Sequence, residues 1–511
     1  MLLSFILALI PIIWLIIALC VIKMPGYIAC PISIALAAGV AIFHKRMAIA
    51  DTATSALDGI LSAIWPILIV IIAALFTYNL MQKTGAMTKI RIMLSGVSMD
   101  KRIIALIIGW GFGCFMEGMA GFGTAVAIPA GILIAMGFDP FTTVAALLVV
   151  NVTPTSFGSV GVPTVTLSSI TEIPELLLSS GTALISVIIM FITPFIMVCI
   201  IGKGLKALKG IWHIVLISSL SMVIPYFLIA FFIGPQLPDI ISSVVSMVVT
   251  VLAVMKRKNK PVPEQYRISE SSQHTESISV SEGIRAWFPF ILITVMLLIT
   301  SKLVPFINEP LASVKSSFHI YTGNPDSQTT FTWINTPGVL IFISAVIGGL
   351  VQREKLSEIL KVFGSVVKNN YKTYITICSV FATAKIMQYS GMTIDVATAM
   401  VAATASYFPL LSPVIGAIGG FVTGSGTSTS VLFGPMQASA GEALGINPAW
   451  LASANSLGAG IGKMLAPSNA AIGAAAAGLS GKENRLIGAV VKYGILFLII
   501  GGLCCFFIRP F

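Results

Sequence analysis

Residues 111–125 read GFGCFMEGMAGFGTA and place a single acid, Glu117, among apolar side chains and glycines. Clustered glycines favour non-helical backbone, which a membrane tolerates only where protein covers it or where it lines a wet cavity. A charged group at bilayer depth costs about 2.5–3.5 kcal/mol, so it usually faces the protein interior and serves transport. The stretch therefore predicts a broken or re-entrant helix that carries a functional carboxyl group.

The composition of the whole chain is that of a membrane protein. The 511 residues are 57% hydrophobic and 10% charged, whereas roughly a quarter of the residues in soluble domains are charged. Apolar runs of about 17–25 residues suit helices that cross a bilayer, so we expect an all-α polytopic protein with about 12–14 crossings. The clearest runs are Leu2–Ile22, Gly59–Met81, Gly181–Ile201, Ile211–Phe232, Asp239–Met255, Trp287–Phe306 and Tyr493–Ile508.

The charges and the reactive side chains exclude several other classes of protein. The net charge of +11 comes from basic residues in short loops, as the positive-inside rule predicts, so we expect no nucleic-acid partner. The seven cysteines and four histidines have neither metal-ligand nor nucleophile spacing. We therefore expect no enzymatic activity, no cofactor and no bound metal.

Short motifs recur in the two parts of the chain at an offset of about 304 residues. They are MQKTG (81–85) and MQYSG (387–391), GFGT (121–124) and GSGT (424–427), and an Asn, Gly, Pro set at 151, 158, 163 and at 455, 462, 467. Residues 256–286 between them are polar and basic at their start, which predicts a cytoplasmic linker. We expect an N-terminal membrane half, 1–255, with a repeat over about 28–255, and a C-terminal half, 287–511.

The charges around the repeated motifs favour an inverted relation between the halves. Basic residues follow MQKTG, whereas Asp395 follows MQYSG without a nearby base. TEIPE (171–175) is acidic, whereas GKENR (481–485) is partly basic, although the basic stretches at 44–46 and 353–361 do not fit this scheme. Two inverted-topology repeats with broken or re-entrant helices are the plan of many secondary transporters.

Each half also offers one isolated ionisable group near the repeated motif, Glu117 in the first and Lys463 in the second. Breaks in membrane helices leave free N–H groups that suit an anion, and hydroxyl side chains beside them add donors. We expect Lys463 to serve as the counter-charge of a small carboxylate. The predicted substrate-binding residues are Gly121, Gly123, Thr124, Asn151, Ser425, Thr427, Ser428, Asn455, Lys463 and Ser468.

Glu117 is predicted to carry the coupled proton, because low-dielectric surroundings disfavour the charged form of a carboxyl group. An anion that moves with one proton is neutral, which avoids about 2.3 kcal/mol per 100 mV of membrane potential. Two structural alternatives stay open. Glu117 or Lys463 would lock helices together by pairing with a neighbouring polar group, and the glycines would serve close helix packing.

Several of these motifs resemble the L-lactate permease family. EGMAGFGTAVAI (117–128), NVTPTSFGSVGVP (151–163), GPQLPDIISSVVS (234–246), RAWFPF (285–290) and GKMLAPS (462–468) match the family's motifs in order. The chain departs from the family at TGSGTSTS (423–430), where Gly426 stands for an aspartate and Ser430 for an asparagine. It departs again at Ala466 and Ser468, which stand for serine and glutamine.

The resemblance implies a bacterial plasma-membrane carrier that imports lactate or a related 2-hydroxy monocarboxylate with protons. Its partners would then be the carboxylate, protons and the lipid bilayer, with the oligomeric state left open. Two alternatives remain: a transporter of another small organic anion with different ion coupling, and an anion channel. A channel needs a continuous pore with rings of charge or carbonyl groups, which one acid and one base fit poorly.

Overall fold

The computed structural model describes residues 2–121, 123–256, 262–268, 278–325 and 327–508. These residues are predominantly helical, as the apolar runs predict. Two short strands, β1 (Lys315–Phe318) and β2 (Thr329–Thr332), form an antiparallel hairpin in which Lys315 pairs with Thr332. The protein is thus an all-α polytopic membrane protein.

The helices of the N-terminal half precede the polar linker in the chain. They are α1 (Leu2–Ile16), α2 (Gly26–Phe43), α3 (Ile49–Ser62), α4 (Ile69–Lys83), α5 (Ala86–Ser95), α6 (Lys101–Ile104), α7 (Gly113–Met119), α8 (Thr124–Ala135), α9 (Pro140–Val150), α10 (Gly158–Thr171), α11 (Glu175–Ile201), α12 (Trp212–Phe232) and α13 (Pro238–Met255). A π-helical turn at Ile17–Val21 extends α1. Two further π-helical turns join α3 to α4 (Ala63–Leu68) and α6 to α7 (Ala105–Phe112). The 3₁₀ turns are Thr153–Phe157 and Leu205–Leu208.

Helices of the C-terminal half follow the linker. They are α14 (Val280–Ile299), α15 (Pro305–Ser313), α16 (Pro337–Val351), α17 (Leu356–Asn369), α18 (Tyr371–Tyr389), α19 (Met392–Thr404), α20 (Phe408–Thr423), α21 (Gly426–Leu444), α22 (Pro448–Leu465), α23 (Pro467–Ala476) and α24 (Glu483–Phe507). The 3₁₀ turn Ala405–Tyr407 lies in this half, whereas Glu264–Tyr266 and the start of α14 lie within the predicted linker, 256–286.

Ten helices of the described chain are long and apolar enough to cross a membrane, or eleven if the bent pair α9 and Thr153–Thr171 is one span. This number is below the expected 12–14. Helices α18, α21 and α22 have 19, 19 and 18 residues, but their polar side chains keep them out of the apolar group. These three helices carry the buried polar side chains Lys385, Gln437 and Lys463, respectively.

The repeated motifs adopt matching backbone conformations in the two halves. Gly85 and Gly391, which end the two MQxxG motifs, have φ of 74° and 77°. Gly121 and Gly424, at the start of the GxGT motifs, have φ of 66° and 65°. Left-handed backbone of this kind suits glycine, and it ends one helix and starts the next. The predicted interruptions therefore occur in both halves, while the inverted relation of the repeats stays a prediction.

The halves differ at their equivalent asparagines. In the first half α9 ends at Val150, and the chain bends by 50° before it continues through Thr153–Thr171. In the second half α22 runs unbroken past Asn455 to Leu465. The helix at the equivalent asparagine is therefore broken in the first half and continuous in the second.

The two halves pack into one bundle rather than side by side. α22 contacts α11 and the turn Thr153–Phe157, and α18 contacts α2 and α3. The predicted linker, 256–286, lies partly outside the described residues, but Ile268 in it donates its N–H to the carbonyl oxygen of Met99 at 2.9 Å. The domain boundaries themselves stay a prediction.

Candidate functional site

A cavity of about 370 Å³ lies where the two halves meet. One left-handed glycine from each half, Gly121 and Gly424, forms part of its wall. Seven of the eleven residues predicted from the sequence to serve binding or proton coupling line this cavity. They are Glu117, Gly121, Ser425, Thr427, Ser428, Lys463 and Ser468.

Glu117 and Lys463 form a buried ion pair in the wall of the cavity. Glu117 lies in the last turn of α7, and Lys463 in the last turn of α22. They are 2% and 5% exposed, and Nζ of Lys463 donates a hydrogen bond to Oε1 of Glu117. The two ionisable groups, each isolated in the sequence of its half, therefore meet in the structure, because both helices end at the same point in space.

The pair leaves hydrogen-bonding capacity unused. Oε2 of Glu117 is buried and has no hydrogen-bond partner among the described residues. Buried carboxylate oxygens without partners are costly, so native structures seldom contain them without a functional reason. A pair that only locked α7 to α22 would be expected to satisfy both oxygens.

Glycines bring the two charged side chains together in two ways. A Cβ atom on Gly158 would lie 3.3 Å from Cγ of Glu117, and one on Gly420 would lie 2.9 Å from the backbone nitrogen of Lys463. Gly420 therefore allows α20 to pack closely on α22, which is the packing role left open above. Gly121 and Gly424 instead serve the left-handed breaks.

The break in the second half presents a helix N-terminus to the cavity. Ser425 caps α21 by accepting the N–H of Ser428 at 3.3 Å, and the hydroxyl of Thr423 accepts the N–H of Ser425 at 3.1 Å. The first N–H groups of a helix have no partner within it, and Gly426 and Thr427, which carry them here, line the cavity. This end of α21 is suited to an anion.

The break in the first half is closed on itself. The backbone N–H of Thr124 donates to the carbonyl oxygen of Gly121 at 3.1 Å. The hydroxyl of Thr124 donates to the carbonyl oxygen of Met116 at 2.9 Å. Thr124 and Gly123 do not line the cavity. The two breaks therefore share a backbone conformation, but among the described residues only the second presents the first N–H groups of its helix to the cavity.

Asn151 and Asn455 also lie outside the lining of the cavity. Both side chains are buried, and neither amide has a hydrogen-bond partner in the part of the chain that the structure describes. Asn455 lies where α20 crosses α22, since a Cβ atom on Gly416 would be 2.4 Å from its carbonyl oxygen. A place for the two asparagines in the substrate site stays a prediction.

Several lining residues were not predicted from the sequence, and Lys372 is the most informative. It lies in the first turn of α18, is exposed, and holds its ammonium group 5.0 Å from the ring centroid of Tyr27. No acidic partner of Lys372 occurs among the described residues. The other unpredicted polar lining residues are Tyr27, Thr155, Ser159, Thr373, Thr376, Thr423 and Asn469.

Gly426, where the family motif has aspartate, faces Thr155. A Cβ atom on Gly426 would lie 3.0 Å from Cγ2 of Thr155 and 3.5 Å from Cβ of Pro163. The wall is therefore filled by a methyl group at the point where the motif would place a second acid. Among the described lining residues Glu117 is the only acid, against the two bases Lys372 and Lys463.

The described residues contain no group of three His, Cys, Asp or Glu side chains placed to hold a metal ion. What the cavity offers is one basic group deep inside, another at its exposed end, a helix N-terminus and several hydroxyl groups. Such a set of donors can bind a small anion. The helical bundle and this cavity together define a multi-pass membrane transporter.

The family of L-lactate permeases is matched over residues 4–511, and the chain belongs to this family. It is 40% identical to the L-lactate permease of Streptococcus iniae over 448 residues, which cover 88% of this chain and 93% of the relative. The glycolate permease of Escherichia coli (strain K12) is 30% identical over 546 residues, with 98% and 95% covered. The chain is therefore a multi-pass protein of the bacterial plasma membrane.

Among solved structures, the YdaH transporter of Alcanivorax borkumensis is similar with a TM-score of 0.47 and 13% identity. The match covers 85% of this chain and 83% of that one.

Proposed function

We propose that the protein imports lactate or a related short-chain 2-hydroxy monocarboxylate together with protons. Relatives named for lactate and for glycolate support this substrate class. The observation that carries the proposal is the buried pair of Glu117 and Lys463 in the wall of a small cavity. It supplies both a cationic binding group and a carboxyl group that can take up a proton.

The substrate carboxylate would bind at the start of α21. There the backbone N–H groups of Gly426 and Thr427 and the positive end of the helix dipole favour negative charge. The hydroxyl of Ser428 and the ammonium group of Lys463 line the same cavity. A cavity of about 370 Å³ has room for a small hydroxy acid and a few waters, since a water occupies about 30 Å³ in the liquid.

Proton coupling follows from competition for Lys463. A bound carboxylate attracts the ammonium group away from Oε1 of Glu117, which leaves the Glu117 carboxylate buried without a counter-charge. A buried unpaired carboxylate is neutralised by taking up a proton. One anion and one proton therefore bind together, and the loaded site keeps the net charge of the empty one.

The test is uptake of labelled L-lactate into proteoliposomes under an imposed pH gradient. Wild-type protein should accumulate lactate above the equilibrium level, whereas Glu117→Gln should lose accumulation and still exchange lactate across the membrane. Glu172→Gln, at the exposed end of α10, is the matched control and should behave as wild type. Accumulation by Glu117→Gln at the wild-type level would refute the role of this residue, and uptake that ignores the gradient would refute proton coupling.

A second candidate keeps the site and changes the cargo to another small organic anion. The methyl group of Thr155 beside Gly426 favours this second candidate. It fills the cavity wall at the position where the family motif has a second acid. Competition of labelled lactate uptake by glycolate, pyruvate, acetate and a dicarboxylate distinguishes the two. Strong competition by lactate and glycolate supports the main proposal, whereas stronger competition by an acid without a 2-hydroxyl group supports the second.

A further inference from the structure

Asp239 is a buried acid that the proposed transport cycle does not yet use. It lies in the first turn of α13 and is 1% exposed. Both of its carboxylate oxygens lack a hydrogen-bond partner among the described residues. A Cβ atom on Gly118 would lie 2.8 Å from Cβ of Asp239, so α13 packs directly against the residue that follows Glu117.

The titratable groups around Asp239 are few. Glu117 and Cys114 belong to α7, Tyr226 belongs to α12, and Lys463 approaches from α22. Glu117 and Asp239 are thus two acids that share one base, and Lys463 is hydrogen-bonded to Glu117. Since Lys463 is hydrogen-bonded to Glu117, Asp239 is the buried acid of this cluster that lacks a basic partner, which is costly for an ionised carboxylate.

Asp239 is also close in the chain to polar groups at the end of the bundle, although it does not line the cavity. Three residues earlier, Gln236 is partly exposed, and its side-chain amide donates to Oε2 of Glu175 at 2.8 Å. Asp239 therefore lies between this polar contact and Gly118, which adjoins Glu117 in the chain.

The Gln236–Glu175 contact and the exposed end of the cavity lie at opposite ends of the bundle. The 27 residues of α11 span about 40 Å, and the Gln236–Glu175 contact places the start of α13 at the end where α11 begins. From that end α13 runs across the bundle to the linker, and α14 runs back from the linker to the first end. Helix α16 crosses again to the linker side, where α17 lies, so α18 begins on the linker side. Lys372, in the first turn of α18, lines the exposed part of the cavity.

We propose that Asp239 is a second proton-binding residue, which connects Glu117 to the end of the bundle opposite the cavity. This inference rests on the proposed function and extends it. When a bound carboxylate attracts Lys463, the O–H bond of Asp239 breaks and its proton binds Oε2 of Glu117. Asp239 becomes a carboxylate for that step, and it regains a proton from water along Gln236 and Glu175.

The experiment compares three chains in proteoliposomes: wild type, Asp239→Asn and Ser243→Ala. Asparagine mimics the protonated form of aspartate but cannot release a proton. Ser243 is a buried residue one turn further along α13, and its hydroxyl only donates to the carbonyl oxygen of Ile240. Asp239→Asn should lose gradient-driven accumulation of lactate while lactate exchange at equal pH continues, and Ser243→Ala should keep both. Full accumulation by a folded Asp239→Asn variant would overturn the inference.

A second measurement does not depend on the Asp239 variant. Infrared spectra of protein labelled with carbon-13 at the aspartate carboxyl groups separate protonated aspartate from glutamate by isotope shift. At neutral pH, wild type should show a buried protonated aspartate, and Glu117→Gln, which frees Lys463 to pair with Asp239, should show a weaker band. Absence of this band from wild type would overturn the inference, even if Asp239→Asn fails to fold.

These outcomes are distinct from failure of the proposed function. Wild-type protein that neither exchanges nor accumulates lactate would refute the proposed substrate. The infrared band would still decide whether Asp239 holds a proton.

Discussion

Among the described residues, two buried acid–base pairs join the halves of this protein, and they differ in how completely their oxygens are hydrogen-bonded. Glu117 pairs with Lys463, and Asp58 of α3 pairs with Lys385 of α18 at 3.4 Å. In both, the acid comes from the N-terminal half and the base from the C-terminal half. Asp58 and Lys385 are 0% and 4% exposed, so burial does not distinguish the two pairs.

Both carboxylate oxygens of Asp58 accept a hydrogen bond. Its Oδ2 accepts the hydroxyl of Tyr389 at 2.9 Å, and its Oδ1 accepts the hydroxyl of Thr329 from the hairpin. Tyr321 stacks on Tyr389 with the ring centroids 3.9 Å apart. The hairpin region thus covers this pair, and neither oxygen of Asp58 is left without a partner.

The comparison teaches that a buried ion pair is by itself weak evidence for either stability or transport. What distinguishes Glu117 is an oxygen without a partner, together with a cavity on one side and Asp239 on the other. We therefore assign the Asp58–Lys385 pair to holding the halves together, and the Glu117–Lys463 pair to the transport cycle.

The largest effect is expected for Lys463→Met. The substituted side chain fills similar space, but the substrate carboxylate loses its cationic partner, and Glu117 becomes a neutral acid in the empty site. Loss of one partner of a buried charge pair costs about 2–5 kcal/mol, so the apparent affinity for lactate should fall about 30-fold or more. Uptake kinetics in proteoliposomes check this, with the exposed Lys482→Met as control. An unchanged KM would contradict the assignment.

Lys385→Met should instead reduce stability. It leaves the charge of Asp58 buried without its partner, which costs about 3–5 kcal/mol in pairs of this kind. The thermal unfolding midpoint should fall, while lactate uptake per folded molecule stays near the wild-type value. The double variant Lys385→Met with Asp58→Asn should recover part of the midpoint. Loss of uptake at an unchanged midpoint would place this pair in the transport cycle as well.

Gly424→Ala tests the break beside the Glu117–Lys463 pair. Left-handed backbone costs a residue with Cβ about 1–2 kcal/mol, and the new Cβ atom would lie 2.2 Å from Oγ of Ser468 in the cavity wall. We expect KM for lactate to rise about fivefold or more. Gly478→Ala is the matched control, because Gly478 has the same φ of 65° and no atom within 4 Å of the added Cβ. Equal KM values in the two variants would show that the wall does not shape the site.

The smallest effect is expected for an exposed ion pair. Hydrogen bonds from Lys361 and Lys83 lower the pKa of Glu358 in α17 to about 2. A lowered pKa in the folded state gives stability that is present above the ordinary pKa of glutamate and is lost as the pH falls towards 2. Since solvent screens this cluster, Glu358→Gln should lower the unfolding midpoint at neutral pH by less than about 2 °C. A larger shift would show that exposed pairs matter as much as buried ones.

Much of the fold could be predicted from the sequence because it depends on local signals. Apolar runs predicted the helices, and the glycines of GFGT and GSGT predicted the breaks at Gly121 and Gly424. The same two motifs contain five lining residues of the cavity: Gly121, Gly424, Ser425, Gly426 and Thr427. Ten helices of the described chain are both long and apolar enough to cross a membrane, fewer than the expected 12–14 crossings, because several of the central helices are either short or rich in polar residues.

The contacts that define the site could not be predicted, because they join residues far apart in the chain. Glu117 and Lys463 are 346 positions apart, and each is isolated among uncharged neighbours in the sequence. Lys372 lies outside the motifs from which the site was predicted. Asp239 stands at the start of an apolar run, where an acid normally marks a helix end in water. Only packing against Gly118 shows that it is buried.

The most direct test of the account is proton uptake on lactate binding, measured with a pH-sensitive dye in weakly buffered, purified protein. The account predicts that wild type takes up about one proton for each lactate bound near neutral pH, whereas Glu117→Gln binds lactate and takes up none. Lactate binding without proton uptake by wild type, or equal uptake by Glu117→Gln, would contradict it.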